Sequence, residues 1–128
     1  MTFDPDAPTA FWMGDYAPEI VAIEKHRYGT LESITAPLGG SCRVLPIDVP
    51  RDCLDGFQVA FYARPHAFLD PQVRRSQSAW SFLPPGVEDR VVNAIAADLA
   101  SGRWDEKYGH LRGVPAIRCQ LRLIVATP

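Results

Sequence analysis

The stretch Ile117-Arg118-Cys119-Gln120-Leu121-Arg122-Leu123-Ile124-Val125 lies late in a chain of 128 residues. Ile117, Cys119, Leu121, Leu123 and Val125 alternate with Arg118, Gln120 and Arg122. That period of two turns successive side chains to opposite faces of a strand. The pattern predicts a strand with one face on a core and the other partly wet, where Arg118 and Arg122 are solvated or ion-paired. A second stretch, Arg43 to Val49, alternates through Leu45, Ile47 and Val49. Its Pro46 has no N–H for a ladder, which predicts an edge position. Thr2-Phe3 reads as the stub of a third strand running into the loop at Asp4-Pro5.

Helical signals fill the space between. Asp15 to Arg27 is predicted as a helix with Asp15 as cap, Pro18 in the first turn and Gly29 as stop. Thr30 to Leu38 is a second, ended by Gly39-Gly40. Leu54 to Ala63 is predicted as a short helix. Asp70-Pro71 starts another, with Val73, Gln77 and Trp80 on one side. Val87 to Ser101 carries the clearest stripe, Val87, Val91, Val92, Ile95 and Leu99, and Gly102 closes it. The fold class is therefore α/β, with two good strands, a stub and four to five helices in a single domain over residues 1–128. Two strands make a marginal sheet, so this one calls for more.

Composition narrows the function. A hydrophobic share of 47% and a charged share of 22% describe an ordinary globular chain. A formal net charge of −2 gives no basic field for nucleic acid or an anionic membrane. No apolar run is long enough to span a bilayer, and no signal peptide opens the chain. Cys42, Cys53 and Cys119 are widely spaced and read as reduced thiols of a cytoplasmic protein. His26, His66 and His110 lack ligand spacing, so no metal site is predicted.

Longer motifs carry a resemblance. They include Thr2-Phe3-Asp4-Pro5 with Asp15-Tyr16-Ala17-Pro18-Glu19, and Asp52-Cys53-Leu54-Asp55-Gly56-Phe57. Arg64-Pro65, Phe68-Leu69-Asp70-Pro71 and Asp98-Leu99-Ala100-Ser101-Gly102-Arg103-Trp104 follow. Together they resemble the C-terminal part of bacterial class I S-adenosylmethionine-dependent methyltransferases of the type 11 kind. The resemblance implies a Rossmann-like sheet of which this chain holds the fifth, seventh and sixth strands, side by side in that order, with the seventh antiparallel. It implies S-adenosylmethionine as cofactor. The family's glycine-rich donor loop after the first strand, and the acid ending the second, have no counterpart here. Gly39-Gly40 follows a helix and reads as its C-cap. The chain is thus expected to be a fragment, a half of a split protein or a sequence with a misplaced start, and inactive alone.

The resemblance places the loops Asp4–Tyr16 and Pro50–Phe57 on the substrate side, beyond the carboxyl ends of the parallel strands. Trp12 and Tyr16 are expected to wall a small-molecule acceptor pocket. Asp52 and Asp55 would accept hydrogen bonds or act as base, Arg64 would bind a carboxylate, and Asp15 is a further substrate-binding candidate. Plainer roles compete: Asp15 and Asp52 as helix caps, Trp12, Phe57 and Trp80 as core, Arg64 and His66 as turn residues, His110 as structural. Partner expectations are a separate N-terminal half or a second copy through the exposed sheet edge, with no nucleic acid and no membrane. A non-enzymatic module that completes such a half, and a ligand-binding domain unrelated to methylation, are the alternatives.

Overall fold

The computed structural model describes residues 1–8 and 11–127. Residues 9 and 10, within the expected Asp4–Tyr16 loop, lie outside the described residues.

Three strands form one sheet: β1 (Thr2–Phe3), β2 (Ser41–Pro50) and β3 (Ala116–Thr127), in the order β1-β3-β2. Both pairings are antiparallel, so β1 and β2 run parallel to each other on either side of β3. The order is the one expected, and Pro46 sits on an outer strand, paired only through β3. A bulge interrupts the β2–β3 ladder. Pro46 stands opposite Arg122 and Asp48 opposite Arg118, so a single residue of β2 faces Cys119, Gln120 and Leu121.

The bulge keeps the parity of β3. Cys119 and Leu121 stay on the apolar face with Val49 and Val59, and Phe3, Ile47 and Phe57 pack around them. On the opposite face each polar residue has a partner. Arg118 forks onto Asp48 at 2.8 and 3.3 Å, and Arg122 pairs with Asp4 at 3.4 Å. Gln120 is buried and donates to the Ala7 carbonyl. The partly wet face of the sequence reading is thus half covered by the loop after β1.

The helices are α1 (Met13–Tyr16), α2 (Pro18–Arg27), α3 (Leu31–Thr35), α4 (Pro71–Arg75), α5 (Val87–Ser101) and α6 (Arg103–Tyr108). Asp15 does not cap the first helix. The ring of Pro18 forces Ala17 out of helical geometry, to φ −135° and ψ 65°, and one predicted helix becomes α1 and α2. Counted as one interrupted helix they leave five. Thr30 caps α3, and Asp70 caps α4 as expected, with Pro71 at the first position. Gly39 ends the turn after α3 at φ 63°, the C-cap role read from the sequence.

Two predicted helices are shorter or absent. Leu54–Ala63 holds only a 3₁₀ turn at Gln58–Phe61, because the Arg64 guanidinium draws in the Cys53 and Ala60 carbonyls. The helix from Pro71 stops at Arg75, and Ser78–Phe82 is a separate 3₁₀ turn.

Residues 51–115 form a helical block that shares one core with α1 and α2. Trp12, Tyr16, Phe68, Trp80, Val91, Ile95 and Trp104 are its buried members. Trp12 meets Tyr16, Phe68 and Trp104 edge to face at 5.5–5.7 Å, the arrangement that ring quadrupoles favour. Arg74 ties α4 to α5 through Glu88 at 2.6 Å, and Arg90 ties α5 to α2 through Glu19 at 2.6 Å.

Candidate functional site

The parallel strands β1 and β2 direct the site. Ligands in open α/β sheets bind beyond the carboxyl ends of such strands. A groove of about 290 Å³ lies there. Phe3, the last residue of β1, lines it, and so do Asp55–Gln58, which follow the end of β2. The end of α2 adds Glu24, Arg27 and Tyr28, and the segment after α4 adds Gln77.

The groove has an aromatic side and a polar side. Phe3 lies 5.2 Å from Tyr28 and 6.1 Å from Phe57 between ring centroids. Opposite them, Gln58 Nε2 donates to Glu24 Oε1 at 2.7 Å. Burial pushes the Glu24 carboxyl above its usual range, against the hydrogen bond from Gln58 and the charge of Arg27. Gln58 and Gln77 are 7% and 6% exposed. Gln58 Oε1 and both amide atoms of Gln77 are buried with no hydrogen-bond partner among the described residues. Such groups are rare in folded proteins and each carries a desolvation cost. Asp55 is exposed on the rim.

The six residues singled out in the sequence are not brought together. Asp55 lines the groove, and Asp52 stands exposed in the turn after β2, capping no helix. Trp12 is 2% exposed, and its indole donates to the Tyr62 carbonyl at 2.8 Å. It is a core residue rather than a free stacking wall. Arg64 is also committed internally. One nitrogen donates to the Cys53 and Ala60 carbonyls at 2.9 and 2.8 Å, and the guanidinium lies 4.9 Å over the Phe61 ring. It fixes a turn and does not reach for a carboxylate.

Asp15 and Tyr16 line a different, open cleft of about 500 Å³ between α1, α5 and α6. Tyr16 donates to Asp98 Oδ2 at 2.7 Å, and Arg103 donates to Asp98 Oδ1 at 2.8 Å. Asp15 accepts from Lys107 at 2.9 Å and from the Tyr108 hydroxyl. The bonds from Tyr108 and then Lys107 hold the Asp15 carboxyl below its usual range. Burial, then the Asp98 bond, pushes the Tyr16 hydroxyl far up. Neither group is poised to exchange a proton near neutral pH. The cluster closes α1 onto α6.

Sequence reasoning missed Glu24, Gln58 and Gln77. Glutamines carry no motif, and a contact between Glu24 and Gln58 has no periodic signal. Among the described residues no group of three His, Cys, Asp or Glu is placed to hold a metal, and no helix is long and apolar enough to cross a membrane.

No family model matches the chain, and no curated protein does. One solved structure is similar: a candidate methyltransferase of an antibiotic biosynthesis pathway from Anabaena variabilis. The TM-score is 0.89 at 26% sequence identity, over 99% of this chain. The fold is that of the C-terminal half of a methyltransferase. The chain spans 53% of the length of that neighbour. Gly39 and Gly40 precede a strand instead of following one, and Asp48 on the outer strand is taken by Arg118.

Proposed function

We propose that these residues form the acceptor-binding, substrate-side part of an S-adenosylmethionine-dependent methyltransferase of the type 11 kind, acting on a small molecule in the cytoplasm. The observation that carries the reading is the match over 99% of the chain to a methyltransferase fold, with a half-polar, half-aromatic groove at the carboxyl ends of its parallel strands. Phe3, Tyr28 and Phe57 would hold an apolar body. Glu24, Gln58 and Gln77 would orient it, and Asp55 would meet its solvent-facing edge. Methyl transfer rests chiefly on such positioning. The donor would be bound by a segment outside these 128 residues, continuous with them or separate, set along the open side of β1.

Two measurements test this. Calorimetric titration of the chain with S-adenosylmethionine and S-adenosylhomocysteine is expected to give no heat of binding. Saturable binding at one site would mean that these residues hold a donor pocket after all. In the second, the half of the Anabaena protein that this chain does not match is joined to it. The folded chimera should bind the donor and pass labelled methyl to a small molecule from a cell extract. A chimera that binds donor but methylates nothing, while the parent protein does, would favour a non-enzymatic module instead.

A further inference from the structure

The unpartnered atoms in the groove specify a ligand more closely than its shape does. A glutamine side chain presents an acceptor and a donor side by side, in one plane. In Gln77 both are unused, and in Gln58 only the carbonyl is. The free set is therefore one N–H₂ and two carbonyls on one side of the groove. A molecule that satisfies it must accept once and donate twice, with the acceptor and one donor adjacent. A primary carboxamide does this. Its C=O receives the Gln77 amide, one of its protons goes to Gln77 Oε1, and the other goes to Gln58 Oε1.

The remaining walls agree. Phe3, Tyr28 and Phe57 offer ring edges and faces to a planar body. Glu24 and Asp55 put two carboxyl groups on the lining, which disfavours an anion. Arg27, the cation of the groove, donates one N–H to Ser78 Oγ at 2.8 Å and lies 4.5 Å over the Phe82 ring. A carboxylate ligand would find two carbonyls that it cannot donate to.

We infer that the groove binds a ring-borne primary carboxamide through a paired amide contact to Gln77 with Gln58 as second acceptor. The amide atoms of Gln77 are buried, so the contact requires the side chain to turn towards the groove. That the ligand is the methyl acceptor rests on the methyltransferase reading; the ligand class itself does not.

Benzamide, benzoate and toluene are the probes, titrated into the full chain and followed by ring-proton NMR of Phe3, Tyr28 and Phe57. Benzamide should shift those signals saturably, at least about tenfold more tightly than benzoate or toluene, as two neutral hydrogen bonds would give. Gln77→Leu should abolish that preference and also raise the melting temperature, because an unpaired buried amide is removed. Gln58→Leu, as a second variant, should weaken benzamide and leave toluene unchanged. Benzoate binding as tightly as benzamide, a preference that survives Gln77→Leu, or no shift at the three rings would overturn the inference. Because no donor is present, failure here leaves the methyltransferase reading untouched. Failure of methyl transfer in the chimera leaves the amide site standing.

Discussion

A buried acid facing a glutamine sets a pH dependence whose sign is fixed. Glu24 titrates above the ordinary 4.5 because burial disfavours its charge. Between those two values the folded state holds the proton longer than the unfolded one, so stability falls as pH rises through the window above 4.5. Glu24→Gln keeps an acceptor for Gln58 and removes the charge. Denaturant melts should show the variant gaining on the parent from that point towards neutral pH, with no gain at lower pH. Trp12 behaves differently. It is buried among four aromatic rings, so Trp12→Ala should cost about 3–5 kcal/mol in the same melts. A side chain that served only as a ligand wall would cost little. At the α1–α5 contact, Asp98 is held below its usual range first by the Tyr16 hydroxyl. Tyr16→Phe should let the Asp98 carboxyl titrate higher when followed by carbon-detected NMR.

Helix α5 shows what a sequence makes legible. Its apolar stripe and its closing glycine mark Val87–Ser101, and the structure has those limits. Gly102 stands at φ 83°, where an added Cβ would meet nothing within 4 Å. Gly102→Ala should therefore cost about 1–2 kcal/mol from backbone strain alone. Gly113→Ala, also in open space but without a positive φ, should be near neutral by thermal melting. The alternation of β3 was equally legible, whereas its bulge was not, since nothing local marks where two strands lose step. Leu54–Ala63 looked helical because apolar residues are dense there. A single guanidinium, from Arg64, overrides that propensity by recruiting backbone carbonyls. Helix α6 escaped notice because six residues are too few for a period to declare itself. Asp55 was singled out from its loop and does line the groove, but the glutamines beside it come together only through the tertiary fold.

At the scale of the molecule, the sheet is held unevenly. β1 covers β3 only at Leu121 and Arg122, with one more bond from Asp4 to Gln120. On that side residues 123–127 pair with nothing among the described residues. Val44, Leu45 and Leu123 are also partly exposed near this end. An open, apolar strand invites pairing with another chain. Sedimentation velocity at rising concentration should show the average mass climbing above 14.2 kDa. Leu123→Lys should hold it there by placing a charge at the seam.

The central strand of the sheet is the last of the three to be made. While a ribosome works through residues 51–115, β1 and then β2 are made without a partner and share no hydrogen bond, because β3 is the partner of both. At roughly 5–20 residues per second that interval lasts seconds. The nascent chain thus carries two orphan strands until β3 is made. Chaperone capture during translation should concentrate on Ser41–Pro50 and end when β3 emerges to join them.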